Sequence, residues 1–423
     1  MLDINLIREH PEIVRQDLEK RKDEKIVLVD ELLRLDEEWR KSKQELDALR
    51  SKRNSLSKEI AAAKKAGKDV SSLLEESKAI PQQIKLLEDE VERTHSRIQE
   101  ILMTLPNITH ETVPYGKDDS DNVEVRSWGE RKTTDVKNHI DVAEALDLVD
   151  FDRAVKISGA GFYFLKNELA LLNQALIAYA RDTLMKKGYL FYEVPFMMRK
   201  KPYAGVTDLS DFENVMYKVE EEDEYLIATS EHPLTAQFMD EVLPQDMLPL
   251  KIVGLSHCFR KEIGSSGLDT KGLFRVHQFT KVEQVVICKP EESWDLHEEM
   301  IRNAEEIFQG LGLPYRVVNI CTGDLGTVAA KKYDIEVWSP RQQKYIEVVS
   351  GSNCTDYQAR RLNIRYGEPG KPKQPLAHTL NCTGIATSRA MVAILEHYQQ
   401  EDGSVLIPQV LVPYMNGIER IKR

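Results

Sequence analysis

The chain is expected to be an α+β protein, with a long antiparallel helical coiled-coil arm first and an antiparallel β-sheet domain flanked by helices after it. Three observations carry this expectation. One apolar heptad seam runs from Leu28 to Ala63, and a second runs from Leu73 to Ile101 after a Gly-led turn. Beyond the arm, strand-like and helix-like patterns alternate, and several of the strand-like runs are joined by short loops rather than by crossover helices.

The first seam reads Leu28, Leu32, Leu35, Trp39, Ser42, Leu46, Leu49, Arg53, Leu56, Ile60 and Ala63, stepping by fours and threes and interrupted only at Ser42 and Arg53. The second reads Leu73, Ser77, Ile80, Ile84, Leu87, Val91, Thr94, Ile98 and Ile101. Gly67-Lys68-Asp69 stops one helix and lets the next begin. Two seams joined by so short a turn must fold back on each other, since each otherwise leaves its stripe in water. A helix of about 38 residues gives an arm of roughly 55–60 Å. Pro81 lies inside the second seam and is expected to kink or delay that helix.

The arm spans about 27–103 within a domain of residues 1–110. A polar, proline-punctuated linker (111–130) and a second domain (131–423) follow. Amphipathic helices are expected near 167–187, 290–312 and 387–400. Strands are expected at 189–196, 225–229, 251–263, 273–288, 315–321, 343–350 and 405–409.

The sequence has 423 residues, 41% of them hydrophobic, enough for a sizeable core. Its start lacks the apolar block of a secretory signal, and no apolar run is long enough to span a bilayer, so a cytoplasmic protein without a membrane partner is expected. Five cysteines, an odd number with no C-x-x-C pair, argue against a disulfide framework and against zinc; buried free thiols are expected. The net charge of −12 argues against nucleic acid as a partner when taken as a sum. Its distribution is different, because Arg40 to Lys68 holds ten basic and three acidic residues. By itself the arm is also compatible with a dimerising or spacer coiled coil whose charges are a solvated face.

The chemistry concentrates in Cys258-Phe-Arg260-Lys261-Glu262-Ile, the Gly-rich loop Gly264 to Gly272, and Leu273-Phe-Arg275-Val276-His-Gln-Phe279-Thr-Lys-Val-Glu283. Strand alternation places Arg260 and Glu262 on one face of a first strand. It places Arg275, Phe279 and Glu283 on one face of a second. Two guanidiniums, two carboxylates and an aromatic ring on one sheet face would be costly in a core, and the ring would be wasted in water. Phe279 and Glu283 lie roughly 13 Å apart along a strand, room for a purine at one end and an α-amino group at the other.

These strands resemble the second signature motif of class II aminoacyl-tRNA synthetases, and Gly-Leu-Phe-Arg-Val-His-Gln-Phe-Thr-Lys-Val-Glu resembles its seryl-tRNA synthetase version. The resemblance covers nearly the whole chain, including the arm. It implies a class II catalytic domain, with Arg260 on the α-phosphate and substrate carboxylate, Glu262 on the adenine amino group and Phe279 stacked on adenine. It further implies Arg275 at the outer phosphates, Val276 touching the nucleotide through its backbone, and Glu283 on the serine amino group. Lys261 joins that ATP set.

Asn381-Cys-Thr383-Gly-Ile-Ala-Thr387-Ser388-Arg389 resembles the third signature. Thr387 or Ser388 can cap the helix that follows, which puts Arg389 in its first turn, against the helix dipole unless a polyphosphate binds there. Tyr345-Ile-Glu347-Val348-Val349-Ser350 resembles the family's metal and ATP strand, with Glu347 and Ser350 implied as Mg2+ ligands. Residues three apart share a face only if a bulge or bend intervenes. Thr229-Ser230-Glu231 matches the family's serine-recognition motif, and Ser230 can also cap a helix. Asn381 and Thr383 complete the implied L-serine pocket, Thr383 at the substrate hydroxyl. The stretch Tyr203 to Asn214 lacks the commoner Gly-Thr-Gly-Gln element, and Ser350-Gly351-Ser352 replaces the commoner Ser-Cys-Ser.

The resemblance implies a homodimer, joined through the helix from Asn167 and the strand reaching Pro195. It also implies activation of L-serine by ATP with Mg2+, then transfer to tRNA(Ser), and to tRNA(Sec) where present. Arg260, Glu283 and Arg389 are the expected catalytic groups, and Lys52, Arg53 and Lys58 mark the expected tRNA face of the arm. Two rivals remain at this point: aminoacyl transfer to a carrier protein, whose enzymes lack the arm, and an inactive RNA-binding paralogue, which would have lost motif residues.

Overall fold

Burial along a single seam builds the arm. In the computed structural model, which describes residues 1–133, 135–209, 214–262, 272–368 and 370–423, the chain divides into two units, Met1–Leu105 and Pro106–Arg423. The first unit begins with helices α1 (Ile4–Glu9) and α2 (Pro11–Arg21), followed by the two arm helices α3 (Val27–Lys65) and α4 (Ser71–Thr104). Leu46, Leu56, Ile80 and Ile84 form a buried cluster along the arm, with Leu49, Leu73, Leu87 and Val91 packed against it. Every expected seam position is buried or half-buried except Arg53, where the first seam was already interrupted.

The turn is a Schellman cap. Gly67 has φ of +67°, Lys68 N–H donates to the Ala63 carbonyl at 3.0 Å, and Gly67 N–H donates to Lys64 at 3.1 Å. The Asp69 carboxylate then accepts from both the N–H and the hydroxyl of Ser71, starting α4. The kink expected at Pro81 is not a break: α4 runs through it. Pro81 is exposed while Ile80 and Ile84 are buried beside it. Two buried isoleucines at ~1.5–3 kcal/mol each offset a proline cost of about 3 kcal/mol.

The second unit is built on an eight-stranded sheet. In chain order its strands are β1 (Val123–Trp128), β2 (Leu190–Glu193), β3 (Leu250–Phe259), β4 (Gln278–Cys288), β5 (Tyr315–Asn319), β6 (Lys331–Ser339), β7 (Lys344–Asn353) and β8 (His378–Ala386). They lie side by side as β1-β5-β6-β7-β8-β4-β3-β2. All neighbours are antiparallel except β2 against β3.

Helices α5 (Asn167–Met185), α7 (Ser293–Gly310) and α8 (Thr387–His397) share the main core with the sheet, and the short helix α6 (Glu231–Ala236) belongs to a second cluster. Strand β4 shows why the site sits where it does. Its Val282 and Val286 enter the main core, whereas Val285 and Ile287 on the opposite face enter the second cluster with Tyr203, Tyr225 and Leu362. Phe279, Lys281 and Glu283 share that opposite face but precede the apolar pair, so the cavity opens where the second core ends.

Three expectations about elements need correction. The stretch 111–130 is not wholly linker, because Val123–Trp128 is an edge strand paired with β5. Strands β6 and β8 were not anticipated, although both alternate: Tyr333, Ile335 and Val337 against Lys332, Asp334 and Glu336, and Leu380 and Cys382 against Thr379, Asn381 and Thr383. Their polar faces line cavities instead of meeting solvent. The segment near 405–409 contributes only Val405–Leu406, in a separate two-stranded ladder. All five cysteines are buried and free, as expected, and no helix among the described residues is long and apolar enough to cross a membrane.

Candidate active site

Two adjoining cavities, of about 280 and 300 Å³, lie on the sheet face opposite the main core. They share Arg260, Lys281, Lys332, Ser350 and Thr383, so they form one continuous cleft. The first is lined by Thr229, Glu231, His232, Glu283, Asn381 and Cys354 among others, and the second by Glu262, Arg275, Val276, Phe279, Glu347, Val348 and Arg389.

Strand alternation brings only part of this set together. β3 ends at Phe259, so Arg260 and Glu262 lie beyond it, and Glu262 has a left-handed φ of +49°. Arg275 and Val276 precede β4. The expected two-strand face is therefore a strand end plus two irregular approaches. Its side chains still converge: Arg260 lies over the Phe279 ring at 5.3 Å, and Arg275 Nη1 is 3.6 Å from Glu262 Oε2. The His277 ring Nδ1–H donates to the Arg260 carbonyl at 2.8 Å, and Arg260 N–H donates back to the His277 carbonyl, fixing the approach to the guanidinium. Gly264 and its neighbours to Lys271 lie outside the described residues, as does 210–213 within the Tyr203 to Asn214 stretch.

The bulge required between Glu347 and Ser350 is present. Opposite β7, Ile335 pairs with Val349 and Glu336 with Glu347, so Val348 is the extra residue. Glu347 and Ser350 thereby face the same cavity, while Val349 turns into the core, which corrects its expected place in the ATP set. Arg389 Nη1 donates to the Glu347 carbonyl at 2.7 Å and lies 3.2 Å from its carboxylate. Burial works to raise the Glu347 carboxyl, but Arg389, Lys332 and Arg260 overcome it and hold it below the usual range. Facing Ser350 in register, Asp334 is buried, and burial with the Glu347 charge pushes its carboxyl up to about 7.

Lys261 and Ser230 stand apart from the cleft. Lys261 is over the Tyr217 ring at 5.8 Å, and its N–H is spent on the Val215 carbonyl. Ser230 is fully buried with its hydroxyl toward the Gly254 carbonyl at 3.4 Å, and it does not cap α6; the Thr229 hydroxyl instead accepts from Glu231 N–H at 3.3 Å. Neither Thr387 nor Ser388 caps α8, whose N-cap is Ala386, because Thr387 donates to the Thr280 carbonyl at 3.3 Å. Arg389 does sit in the first turn of α8, as expected, with Phe274 under it at 5.3 Å.

Two carboxylates define the first cavity, Glu283 buried and Glu231 half-buried. Glu283 is 1% exposed and lies 2.7 Å from Lys281 Nζ. Burial, reinforced by Glu283, pushes the Glu231 carboxyl up to about 7. The neighbouring His232 is held neutral by burial, its ordinary pKa lowered to about 3, and its Nδ1 lies 2.9 Å from the Tyr203 hydroxyl. Lys281, Lys332, His232 and Asp334 were not singled out from sequence. Lys281 was within reach, since it lies between Phe279 and Glu283 on the same strand face. The others gave no motif signal.

On the arm, Lys52 is committed to Glu76 across the hairpin at 2.6 Å and Arg50 to Glu88 at 2.7 Å. Arg53 and Lys58 are exposed and make no ion pair with the described residues. The geometry alone thus supports an oxygen-rich, cation-lined cleft for a small zwitterion joined to a polyphosphate.

Comparison with known proteins is consistent along the chain. Residues 1–109 match the seryl-tRNA synthetase N-terminal domain, and residues 216–398 match the class II tRNA synthetase core domain of the G, H, P, S and T group. A serine–tRNA ligase of Methanocella arvoryzae is 57% identical over 99% of this chain and 100% of its own. The seryl-tRNA synthetase of Pyrococcus horikoshii, solved with ATP, superposes with a TM-score of 0.94 at 52% identity, covering 100% of this chain and 99% of that one. A cytoplasmic serine–tRNA ligase of Naegleria fowleri, solved with AMP, gives 0.89 at 40% identity, covering 100% of this chain and 99% of its own.

Proposed function

The chain belongs to the seryl-tRNA synthetase family of class II aminoacyl-tRNA synthetases, and from that premise we propose how its residues act as an ATP-dependent serine–tRNA ligase. Two-step acyl transfer is the reaction: the serine carboxylate attacks the α-phosphate of ATP, forming seryl-adenylate and releasing pyrophosphate. A ribose hydroxyl at the tRNA 3′ end then attacks the acyl carbon and releases AMP. The observation that carries this reading is the continuity of the two cavities, with Phe279 in one, Glu283 in the other and Arg260 lining both.

Phe279 stacks on adenine, Glu262 holds its amino group and Val276 supports the nucleotide. Arg275 and Arg389 hold the outer phosphates. Arg260 bridges the α-phosphate and the serine carboxylate at the junction, lowering the cost of bringing two anions together. Glu283 takes the serine ammonium. Thr229, Glu231, Asn381 and Thr383 surround the side chain, with Thr383 at its hydroxyl. A site built to hydrogen-bond a hydroxyl rejects alanine strongly, because its polar groups are otherwise left unpaired.

Glu347 and Ser350 fit Mg2+: both are hard oxygen donors on one side of the bulge, and they face the nucleotide cavity. When bound there, the ion would neutralise phosphate charge. Arg53 and Lys58, with Lys52 beside them, offer the arm's cations to tRNA(Ser), and to tRNA(Sec) where that RNA exists. A homodimer joined through α5 and the edge strand β2 accounts for the exposure of Leu171, Leu190, Phe196 and Met197. The reduced, buried cysteines suit the cytoplasm. The deciding experiment is ATP–pyrophosphate exchange with each amino acid, followed by tRNA charging. Serine-dependent exchange and charging are expected; exchange driven by another amino acid alone would overturn the reading.

A further inference from the structure

Glu231 reaches into the first cavity, yet what holds its carboxylate is not part of any motif in the chain. Gln358, 1% exposed in the short helix Tyr357–Leu362, donates from Nε2 to Glu231 Oε1 at 3.0 Å. The same nitrogen donates to the Val206 carbonyl at 2.9 Å, and Val206 also lines this cavity. The amide oxygen accepts from the Thr379 hydroxyl at 2.6 Å, and Thr379 is likewise 1% exposed. Both ends of the amide are thereby committed. Two N–H groups and one oxygen have three partners, and turning the amide over would set its oxygen against the Val206 carbonyl and the Glu231 carboxylate.

The geometry points to Gln358 as a positioning residue for the recognition of serine: it orients the Glu231 carboxylate toward the substrate side chain. This rests on the reading of the first cavity as the serine pocket. Among the described residues, no other side chain hydrogen-bonds the Glu231 carboxylate. One carboxylate oxygen is anchored, which leaves the second to meet the substrate in a fixed direction. Thr379 orients Gln358, Gln358 orients Glu231, and Glu231 reads the ligand. An aliphatic residue at 358 would leave a buried carboxylate oxygen without its donor and free to turn away. The nucleotide cavity, which Gln358 does not line, should not register the change.

The test compares the unaltered chain with Gln358→Leu, Thr379→Val and the near-isosteric Gln358→Glu in ATP–pyrophosphate exchange, varying serine, alanine and ATP separately. Gln358→Leu is expected to raise KM for serine roughly 10- to 100-fold, the loss of a hydrogen bond to a charged group. KM for ATP should stay within about twofold, the preference for serine over alanine should fall, and Thr379→Val should move both serine measures the same way by less. Gln358→Glu keeps the volume and sets a second carboxylate against Glu231; it should raise KM for serine most at high pH, where both are ionised. That pH signature is one that loosened packing does not produce. Equal rises in KM for serine and ATP, or an unchanged serine KM and unchanged serine preference in folded Gln358→Leu, would overturn the inference alone. Lack of serine-dependent exchange in the unaltered chain would overturn it together with the serine pocket.

Discussion

The arm and the sheet solve the same problem of burial by opposite means. In α3 and α4 each buried residue repeats a local rule, and neighbours along the seam do nearly the same work, so the unit tolerates a serine, an arginine or a proline in its pattern. In the sheet one strand face changes character within a few residues, from Phe279, Lys281 and Glu283 to Val285 and Ile287. No residue there substitutes for another. Redundancy makes the arm robust, and singular positions make the cleft chemically specific.

The largest break in this comparison should come from single changes in the cleft. Arg260→Ala or Glu283→Ala is expected to lower serine-dependent pyrophosphate exchange by about 100- to 1000-fold or more, the scale of removing one preorganised charge partner. Both variants should still bind tRNA, measured by filter retention. Near-normal exchange in either would refute the site assignment.

On the arm the expected effect is smaller and shared among residues. Reversing Lys52, Arg53 and Lys58 to glutamate should weaken tRNA charging roughly tenfold or more and flatten its salt dependence, while serine activation stays unchanged. Arg53 and Lys58 should contribute more than Lys52, whose ammonium is already paired with Glu76. An equal fall in activation would make the arm structural.

A few-fold effect is expected from pH. The Glu231 carboxyl, raised to about 7 by burial and by Glu283, faces Glu283, Lys281, Arg260 and Gln358. A substrate ammonium favours its ionised form, so KM for serine should rise as pH falls from 8 to 6, and Glu231→Gln should remove that trend. For folding the sign is opposite. A carboxyl whose folded value is raised stabilises the fold fully below its ordinary 4.5, and that contribution is lost as pH rises through about 7. Thermal midpoints measured across that window should fall in the unaltered chain more than in Glu231→Gln.

The smallest effect belongs to the arm's turn. Gly67→Ala meets no atom within 4 Å, so its cost is the left-handed φ of +67° alone, about 1 kcal/mol. A shift of more than a few degrees in the melting of the arm would show that the turn carries more than its own conformation.

By itself the amino-acid sequence determined the arm to nearly every seam residue, because a heptad repeat and a glycine cap are local codes in which neighbours supply the meaning. Motif resemblance also pointed to Arg260, Glu262, Arg275, Phe279, Glu283 and Arg389, which line the cleft, and the sequence required a bulge between Glu347 and Ser350 that strand pairing places at Val348. Tertiary structure decided what alternation could not. Arg260 and Glu262 leave the strand before acting, Val349 and Ser230 turn away from the cavity, and the polar faces of β6 and β8 become its walls. Only the fold brings Gln358 to Glu231, 127 residues away in the chain. A hydrogen bond between such distant residues leaves no periodicity to read, since the two meet only once the helices that carry them have packed on the same short helix, Lys200–Val206.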